Sequence, residues 1–183
     1  MAPQPSRKPT RLTEYDYSTP GAYFVTVCTQ DRKCILSDII ALDEPRVKLT
    51  GYGAIVEQTL LEIDRAYDHI SIDNYVIMPN HIHLLVSVTE RGTSRTPSPT
   101  NTSGSANKTV GAGVPDSPPS PANAVLPMLI STFKRFTNKR CGVPLWQRSY
   151  HEHVIRNQRD YEEIWSYIDN NPAKWMLDRY YEA

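Results

Sequence analysis

The sequence is organised around one stretch, Tyr75-Val76-Ile77-Met78-Pro79-Asn80-His81-Ile82-His83-Leu84-Leu85-Val86. Strand-forming residues lie at both ends and the turn formers Pro79-Asn80 separate them, so the stretch predicts a tight β-hairpin. Side chains of a strand alternate between its two faces, so His81 and His83 should share one face while Ile82 points to the other. Two imidazoles on one face can share a metal ion; the alternative is a strand that simply carries two histidines.

The periodicity of apolar residues predicts the remaining elements. Runs rich in β-formers predict strands at 22–29, 70–78, 81–88 and 151–156, with a minor strand at 47–49. Helical spacing predicts helices at 52–67, from Val125 to Cys141-Gly142, and from the cap Asn157 to Asn170-Asn171-Pro172. The segment 31–45 is expected to be loop with a short turn of helix.

The resulting order is β-α-β-β-α-β followed by a last helix, the ferredoxin-like split βαβ pattern. It predicts an α+β domain in which an antiparallel sheet has helices on one face. The last helix should bury the stripe Tyr161, Ile164, Trp165 and Ile168.

Tyr167 and Asn171 lie one turn apart on that last helix, beside the buried stripe and therefore at the edge of a cleft. A phenol next to an amide oxygen, facing two histidines, is a candidate for a metal-assisted nucleophile. The alternative for Tyr167 is a half-buried packing residue.

Composition divides the chain into segments. Residues 1–12 are polar and basic and predict a flexible arm, and residues 13–183 predict a single domain. Within that domain, residues 91–123 are rich in Ser, Thr, Pro and Gly. Such a segment cannot bury enough apolar surface to offset the entropy of ordering it, so we expect a disordered insertion.

The net charge is zero, with 20 basic and 20 acidic residues, which alone argues against a nucleic-acid-binding protein. The distribution is uneven, however, because residues 132–148 contain no acid. The cations of this run are Lys134, Arg135, Lys139, Arg140 and Arg148. They predict either a solvated helix face with favourable dipole placement or a surface that contacts phosphates.

The sequence contains no apolar run long enough to span a bilayer and no signal-peptide core near its start. Its cysteines, Cys28, Cys34 and Cys141, lack Cys-x-x-Cys spacing and cannot all pair within the chain. These features predict a cytoplasmic protein with no membrane partner.

Three blocks of the sequence resemble a known family. The run Met78-Pro79-Asn80-His81-Ile82-His83 resembles the HUH motif of single-tyrosine HUH transposases of the IS200-like family. The opening Gly21-Ala22-Tyr23-Phe24-Val25-Thr26 is similar to the REP-associated tyrosine transposase branch. The third block is similar to the same branch and lies between residues 146 and 172. It consists of three runs, in this order along the chain: Trp146-Gln147, Glu152-His153-Val154-Ile155-Arg156-Asn157 and Tyr167-Ile168-Asp169-Asn170-Asn171-Pro172.

The resemblance implies a metal-dependent enzyme that cuts and rejoins single-stranded DNA at hairpin sequences. Tyr167 would be the nucleophile that forms a 5′-phosphotyrosine, and His81, His83 and Asn171 would hold Mg²⁺ or Mn²⁺. The partner would be DNA, with the protein a monomer or homodimer. The residues expected to contact DNA are Lys134, Arg135, Lys139, Arg140, Trp146, Arg148 and Arg156, with Trp146 stacking on a base.

The sequence differs from the family pattern at one expected ligand, and other hypotheses compete with this prediction. Many relatives have Gln where this chain has Asn171, which is shorter, and His151-x-His153 is a second pair with metal-ligand spacing. We expect His151 to be exposed and His153 to be structural. The main alternative function is a DNA- or RNA-binding protein of the same fold that does not cleave. A zinc-stabilised module and a two-histidine phosphodiesterase are disfavoured, because the cysteines are scattered and paired His-x-Ser/Thr motifs are absent.

Overall fold

The computed structural model describes residues 20–40, 45–89 and 125–181. The predicted arm at 1–12 and the predicted insertion at 91–123 lie outside the described residues, so both stay predictions. Among the described residues, no helix combines the length and the apolar character needed to cross a membrane.

The core of the fold is a four-stranded antiparallel sheet with the spatial order β4-β5-β1-β6. Its strands are β1 (Gly21–Cys28), β4 (Ile70–Ile77), β5 (His81–Val88) and β6 (His151–Ile155). The helices are α1 (Gly51–Ala66), α2 (Val125–Cys141) and α3 (Gln158–Asn170), and a 3₁₀ helix, Pro172–Leu177, follows α3. This order and connectivity confirm the predicted ferredoxin-like α+β class.

A separate ribbon of two antiparallel strands, β2 (Ser37–Ile40) and β3 (Arg46–Leu49), precedes α1. The minor strand at 47–49 was predicted, but β2 was not, because its segment was expected to be loop. Thr50 caps α1 by accepting a hydrogen bond from the Gly53 backbone N–H at 3.2 Å. A side chain at Gly53 would meet the carbonyl of Leu36 at 2.0 Å, so this glycine lets the helix pack closely against the ribbon.

Helices α1 and α2 cover one face of the sheet. The residues that this face contributes alternate along β1 and β5, and their side chains are at most 1% exposed: Tyr23, Val25, Val27, Ile82, Leu84 and Val86. They form one apolar cluster with buried residues of both helices. The prediction that Ile82 points away from the two histidines is confirmed.

Helix α3 covers the other face, where a smaller apolar cluster forms around Val76, Met78, Leu85 and Ile168. Asn157 caps α3 as predicted, accepting from the backbone N–H of Asp160 at 2.9 Å. Of the predicted buried stripe, Ile168 is buried and Tyr161 and Ile164 are partly buried against this cluster, whereas the prediction is wrong at Trp165, whose side chain is exposed. The same face also carries three buried polar side chains, those of Thr26, His81 and His83.

The hairpin between β4 and β5 fixes the position of the two histidines. In the register of the sheet, His81 is opposite Cys28 and His83 is opposite Thr26. The carbonyl of Asn80 accepts from the backbone N–H of Thr29 at 2.9 Å and from its hydroxyl at 3.0 Å. Because β5 is an interior strand and its turn is bonded to the neighbouring segment, both rings are held rigidly.

Candidate active site

His81 and His83 lie side by side on the face of β5 that α3 covers. Their Nε2 atoms are 3.0 Å apart and both side chains are buried. The prediction that they share a face is confirmed. Two ring nitrogens at this separation can converge on one cation, provided that both present a lone pair.

Asn80 determines which nitrogen of His81 presents its lone pair. The Asn80 amide group donates from Nδ2 to the backbone carbonyl of Tyr180 at 2.7 Å, so its Oδ1 points the other way. Oδ1 lies 2.9 Å from Nδ1 of His81 and can only accept, so Nδ1 carries the proton. The Nε2 lone pair of His81 is therefore directed at His83.

Thr26 forms a similar contact with His83 but does not fix the tautomer of that ring. Its hydroxyl lies 2.9 Å from Nδ1 of His83, and a hydroxyl can donate or accept, so either tautomer of His83 is allowed. Burial lowers the pKa of His81 to about 4, although the Asp178 carboxylate partly opposes this. Burial, followed by the neighbouring His81, lowers the pKa of His83 well below its usual value. Both rings are thus neutral near pH 7, as a metal ligand must be.

Tyr167 brings its hydroxyl to the open side of the histidine pair. The oxygen lies 3.3 Å from Nε2 of His83 and 3.4 Å from Oδ2 of Asp178. The ring packs edge-on against Phe24, and the side chain is 40% exposed, so the hydroxyl can be reached from solvent. Burial, and then the Asp178 charge, raise the pKa of Tyr167 to about 12, so the resting group is a phenol.

Asn171 is buried one turn beyond Tyr167. Its Nδ2 donates to Oδ2 of Asp178 at 3.1 Å. Its Oδ1 is buried and has no hydrogen-bond partner in the part of the chain that the structure describes. A buried acceptor without a partner is costly, and a bound cation would satisfy it.

These groups together fit a divalent cation. His81, His83 and Asp178 each offer a ligand atom, and those atoms lie within 4.8 Å of one another. Asn171, whose amide nitrogen donates to Asp178, carries the unsatisfied buried oxygen, which is a further neutral donor next to this group. Without the carboxylate, this set of nitrogen and neutral oxygen donors suits Mg²⁺ poorly. With the carboxylate, the set suits Mn²⁺ well.

A cleft of about 540 Å³ leads from solvent to this group. His83 and Tyr167 lie in its wall together with residues of β1, β6, α3 and the C-terminal turn, including Phe24, Thr26, His151, His153, Asp160 and Arg179. Among the described residues, Arg179 is the one Lys or Arg side chain in that lining. The cleft is therefore a place where an anionic group can approach the Tyr167 hydroxyl.

The second histidine pair lines the same cleft but is arranged differently. His151 and His153 are both exposed, as predicted for His151. Nε2 of His153 lies 2.9 Å from Oδ2 of Asp160, which agrees with a structural part for His153. This carboxylate occupies one of the two ring nitrogens through which His153 could bind a metal.

Several predicted DNA contacts are engaged within the protein. Nζ of Lys134 donates to the carbonyls of Gln147 at 2.9 Å and Ser149 at 3.0 Å, and Arg140 pairs with Glu62. Trp146 is 5% exposed and donates from Nε1 to the Thr137 hydroxyl at 2.7 Å. The buried indole cannot stack on a base in this arrangement, because its ring packs against the core.

The other predicted contacts are exposed: Arg135, Lys139, Arg148 and Arg156. Helix α2, which carries Arg135 and Lys139, packs on the sheet face opposite the histidine pair. Arg148 lies in the segment between α2 and β6, where the backbone N–H of Gln147 donates to Cys28 at 3.0 Å. The carbonyl of Arg148 lies 3.4 Å from Nζ of Lys134, so this segment adjoins α2.

Sequence reasoning missed the C-terminal turn, residues 178–180, and the role of Asn80. Asn80 directly precedes His81 and was interpreted only as a turn former. Asp178 and Arg179 have no periodic pattern or motif around them, so no sequence signal identified them. They reach the site because the 3₁₀ helix after α3 folds the chain back across β5.

Comparisons with known proteins bear on the fold. No family model matches the chain. A curated relative from Haemophilus influenzae, an uncharacterized protein, is 29% identical over 180 residues, covering 96% of this chain and 93% of its own. Among solved structures, a REP-associated tyrosine transposase bound to a REP hairpin aligns with a TM-score of 0.57. That alignment is 20% identical and covers 89% of this chain and 74% of the other.

The chain has the fold of a REP-associated tyrosine transposase. The resemblance that the three sequence blocks indicated is confirmed at the level of the fold.

Proposed function

We propose that the protein is a metal-dependent DNA endonuclease and transposase that cuts and rejoins single-stranded DNA through a 5′-phosphotyrosine on Tyr167. The observation that carries the proposal is the 3.3 Å approach of the Tyr167 hydroxyl to the ring of His83, beside a second buried imidazole. The transposase fold supports DNA as the substrate.

His81, His83 and Asn171 would hold Mg²⁺ or Mn²⁺. When bound, the ion would supply Lewis-acid polarisation of a non-bridging oxygen of the scissile phosphate. Asn80 keeps the Nε2 lone pair of His81 available for this purpose, as described above.

The chain's own groups account for the strand transfer. The Tyr167 oxygen forms a bond to phosphorus while the bond from phosphorus to the 3′-oxygen breaks, and the phenol proton passes to solvent at the open cleft. The departing 3′-oxygen takes up a proton and becomes a 3′-hydroxyl. One phosphodiester is exchanged for another ester of similar energy, so rejoining needs no nucleotide cofactor.

The cleft favours a flexible strand over a duplex. Tyr167 lies on a helix and the histidines lie on a strand, so the phosphate must pass between two layers of the fold. A single strand can be splayed into such a cleft, whereas a paired backbone cannot enter it without opening. Arg179 within the cleft and the exposed Arg148 and Arg156 would neutralise neighbouring phosphates without reading sequence.

A non-cleaving DNA- or RNA-binding protein of the same fold is the second candidate. The observation in its favour is the contact between Tyr167 and Asp178, since a nearby carboxylate disfavours the phenolate that attack requires. The two candidates predict the same binding but opposite results in a cleavage assay.

Labelled DNA tests the proposal. Three substrates of one sequence are compared, namely a hairpin with single-stranded flanks, a linear single strand and a full duplex, each with Mn²⁺ or with EDTA. We expect cutting of the flanked hairpin with Mn²⁺, little cutting of the duplex, and none with EDTA. Tight binding of the hairpin without cutting under any metal condition would favour the non-cleaving candidate.

A further inference from the structure

The C-terminal turn, residues 178–180, lies directly over the histidine pair. The ring of Tyr180 is 4.7 Å from that of His81, and its backbone carbonyl holds the Asn80 amide group. Within the turn, Oδ1 of Asp178 accepts from the backbone N–H of Tyr180 at 2.7 Å. That bond fixes the carboxylate and leaves Oδ2 directed at the site.

Among the described residues, Oδ2 of Asp178 has two hydrogen-bonding neighbours, and both belong to the site. It lies 3.1 Å from the Asn171 amide nitrogen and 3.4 Å from the Tyr167 hydroxyl. An oxygen of this carboxylate and the ring nitrogens of both histidines lie within 4.8 Å of one another. The buried, unsatisfied Oδ1 of Asn171 is a separate observation that also points to a cation here.

We infer that Asp178 is a further ligand of the divalent ion at the histidine pair, an inference that rests on the proposed function. Two neutral imidazoles and an amide oxygen carry no charge, whereas Mg²⁺ and Mn²⁺ favour anionic oxygen ligands. Asp178 supplies that charge from a segment outside the helix that carries the nucleophile.

A cation bound beside this carboxylate would explain its position next to the nucleophile. A negative charge 3.4 Å from the nucleophile would otherwise repel the incoming phosphate. With the cation bound, the same charge holds the ion that attracts the phosphate. The turn therefore has two roles at the metal site. Asp178 binds the ion, and the backbone carbonyl of Tyr180 orients His81 through Asn80.

The competing role for Asp178 is a general base that removes the Tyr167 proton. The 3.4 Å separation is longer than a strong O–H···O hydrogen bond, which measures about 2.5–3.0 Å. Such a base would affect cleavage and leave metal affinity unchanged. Direct measurement of metal binding in the absence of DNA separates the two roles.

Mn²⁺ affinity is measured by the EPR signal of free Mn²⁺ during titration of the full chain. Asp178→Asn keeps the shape and the hydrogen bond from Tyr180 but removes the charge, and we expect roughly tenfold or greater loss of affinity. Asp160→Asn removes the same charge from the same cleft outside the ligand group, and we expect a change of about twofold or less. His81→Ala should lose binding almost completely.

A second measurement uses the wild-type chain and does not depend on how the variant folds. During a Mg²⁺ titration, the carboxyl ¹³C resonance of Asp178 should shift and that of Asp160 should not. Unchanged Mn²⁺ affinity in Asp178→Asn, with binding abolished in His81→Ala, overturns the inference and leaves the proposed function standing. Absence of Mn²⁺ binding by the wild type overturns both.

Discussion

The two His-x-His pairs of this chain have the same spacing and lie on the same face of the same sheet, yet only one forms a candidate metal site. His83 and His151 are both register partners of Thr26 on β1, one on each side. The pairs are thus separated by a single strand. Spacing alone placed each pair on one face and could not distinguish them.

The position of each histidine pair in the sheet explains why the two pairs differ as candidate metal sites. β5 is an interior strand, and α3 and the C-terminal turn cover His81 and His83, whereas β6 is an edge strand with exposed histidines. In the inner pair, His81 and His83, the two Nε2 atoms are 3.0 Å apart. In the outer pair, His151 and His153, the ring of His153 is bonded to Asp160. At the inner pair, burial keeps both rings neutral and Asn80 directs the Nε2 lone pair of His81 at His83.

The largest expected effect comes from removing one ring from each pair. His81→Ala should reduce Mn²⁺-dependent cleavage by about 10³-fold, because Lewis-acid stabilisation is worth several kcal/mol. His151→Ala should change it by no more than about threefold. Single-turnover rates on the flanked hairpin measure both. Equal losses in the two variants would mean that the outer pair holds the metal.

An intermediate effect is expected at Asn80, which orients the inner pair without touching the metal. Asn80→Ala should weaken Mn²⁺ binding by about 10- to 100-fold, because the His81 tautomer is no longer fixed. Asn74→Ala, which removes an exposed hydrogen bond to Asp169, is the matched control and should leave affinity unchanged. Thermal unfolding checks that both variants fold, and full affinity in Asn80→Ala would refute the orienting role.

The smallest effect is expected at the outer pair's own contact. His153→Ala removes a partly exposed interaction with Asp160, and exposed pairs contribute only about 0.2–1 kcal/mol to the free energy of unfolding. We expect a small decrease in melting temperature and unchanged Mn²⁺ affinity. A clear loss of Mn²⁺ binding would show that the outer pair takes part after all.

Local patterns predicted the fold well, because strand alternation and helical spacing are properties of the sequence itself. They failed at β2, which is short, and at Trp165, which lies beside the buried stripe of α3 without entering the core. They also failed at Trp146, since burial of an aromatic residue in an irregular segment depends on tertiary packing.

The candidate site was only partly predictable for the same reason. His81, His83 and Tyr167 lie on regular elements, Asn171 directly follows α3, and the structure brings the four residues together. Asp178 reaches them through an irregular turn whose path depends on contacts with Asn80. The basic run was misleading at Lys134, because a sequence does not show which cations bond to the protein's own carbonyls.

The central claim is that Tyr167 becomes covalently joined to DNA, and peptide mapping tests it most directly. Wild-type protein is incubated with the flanked hairpin and Mn²⁺, the adduct is digested, and the modified peptide is identified by mass spectrometry. We predict a nucleotide on Tyr167, no adduct in Tyr167→Phe, and a normal adduct in Tyr161→Phe, which alters another tyrosine of α3. An adduct of undiminished yield in Tyr167→Phe, or modification of a different tyrosine in the wild type, would contradict the account.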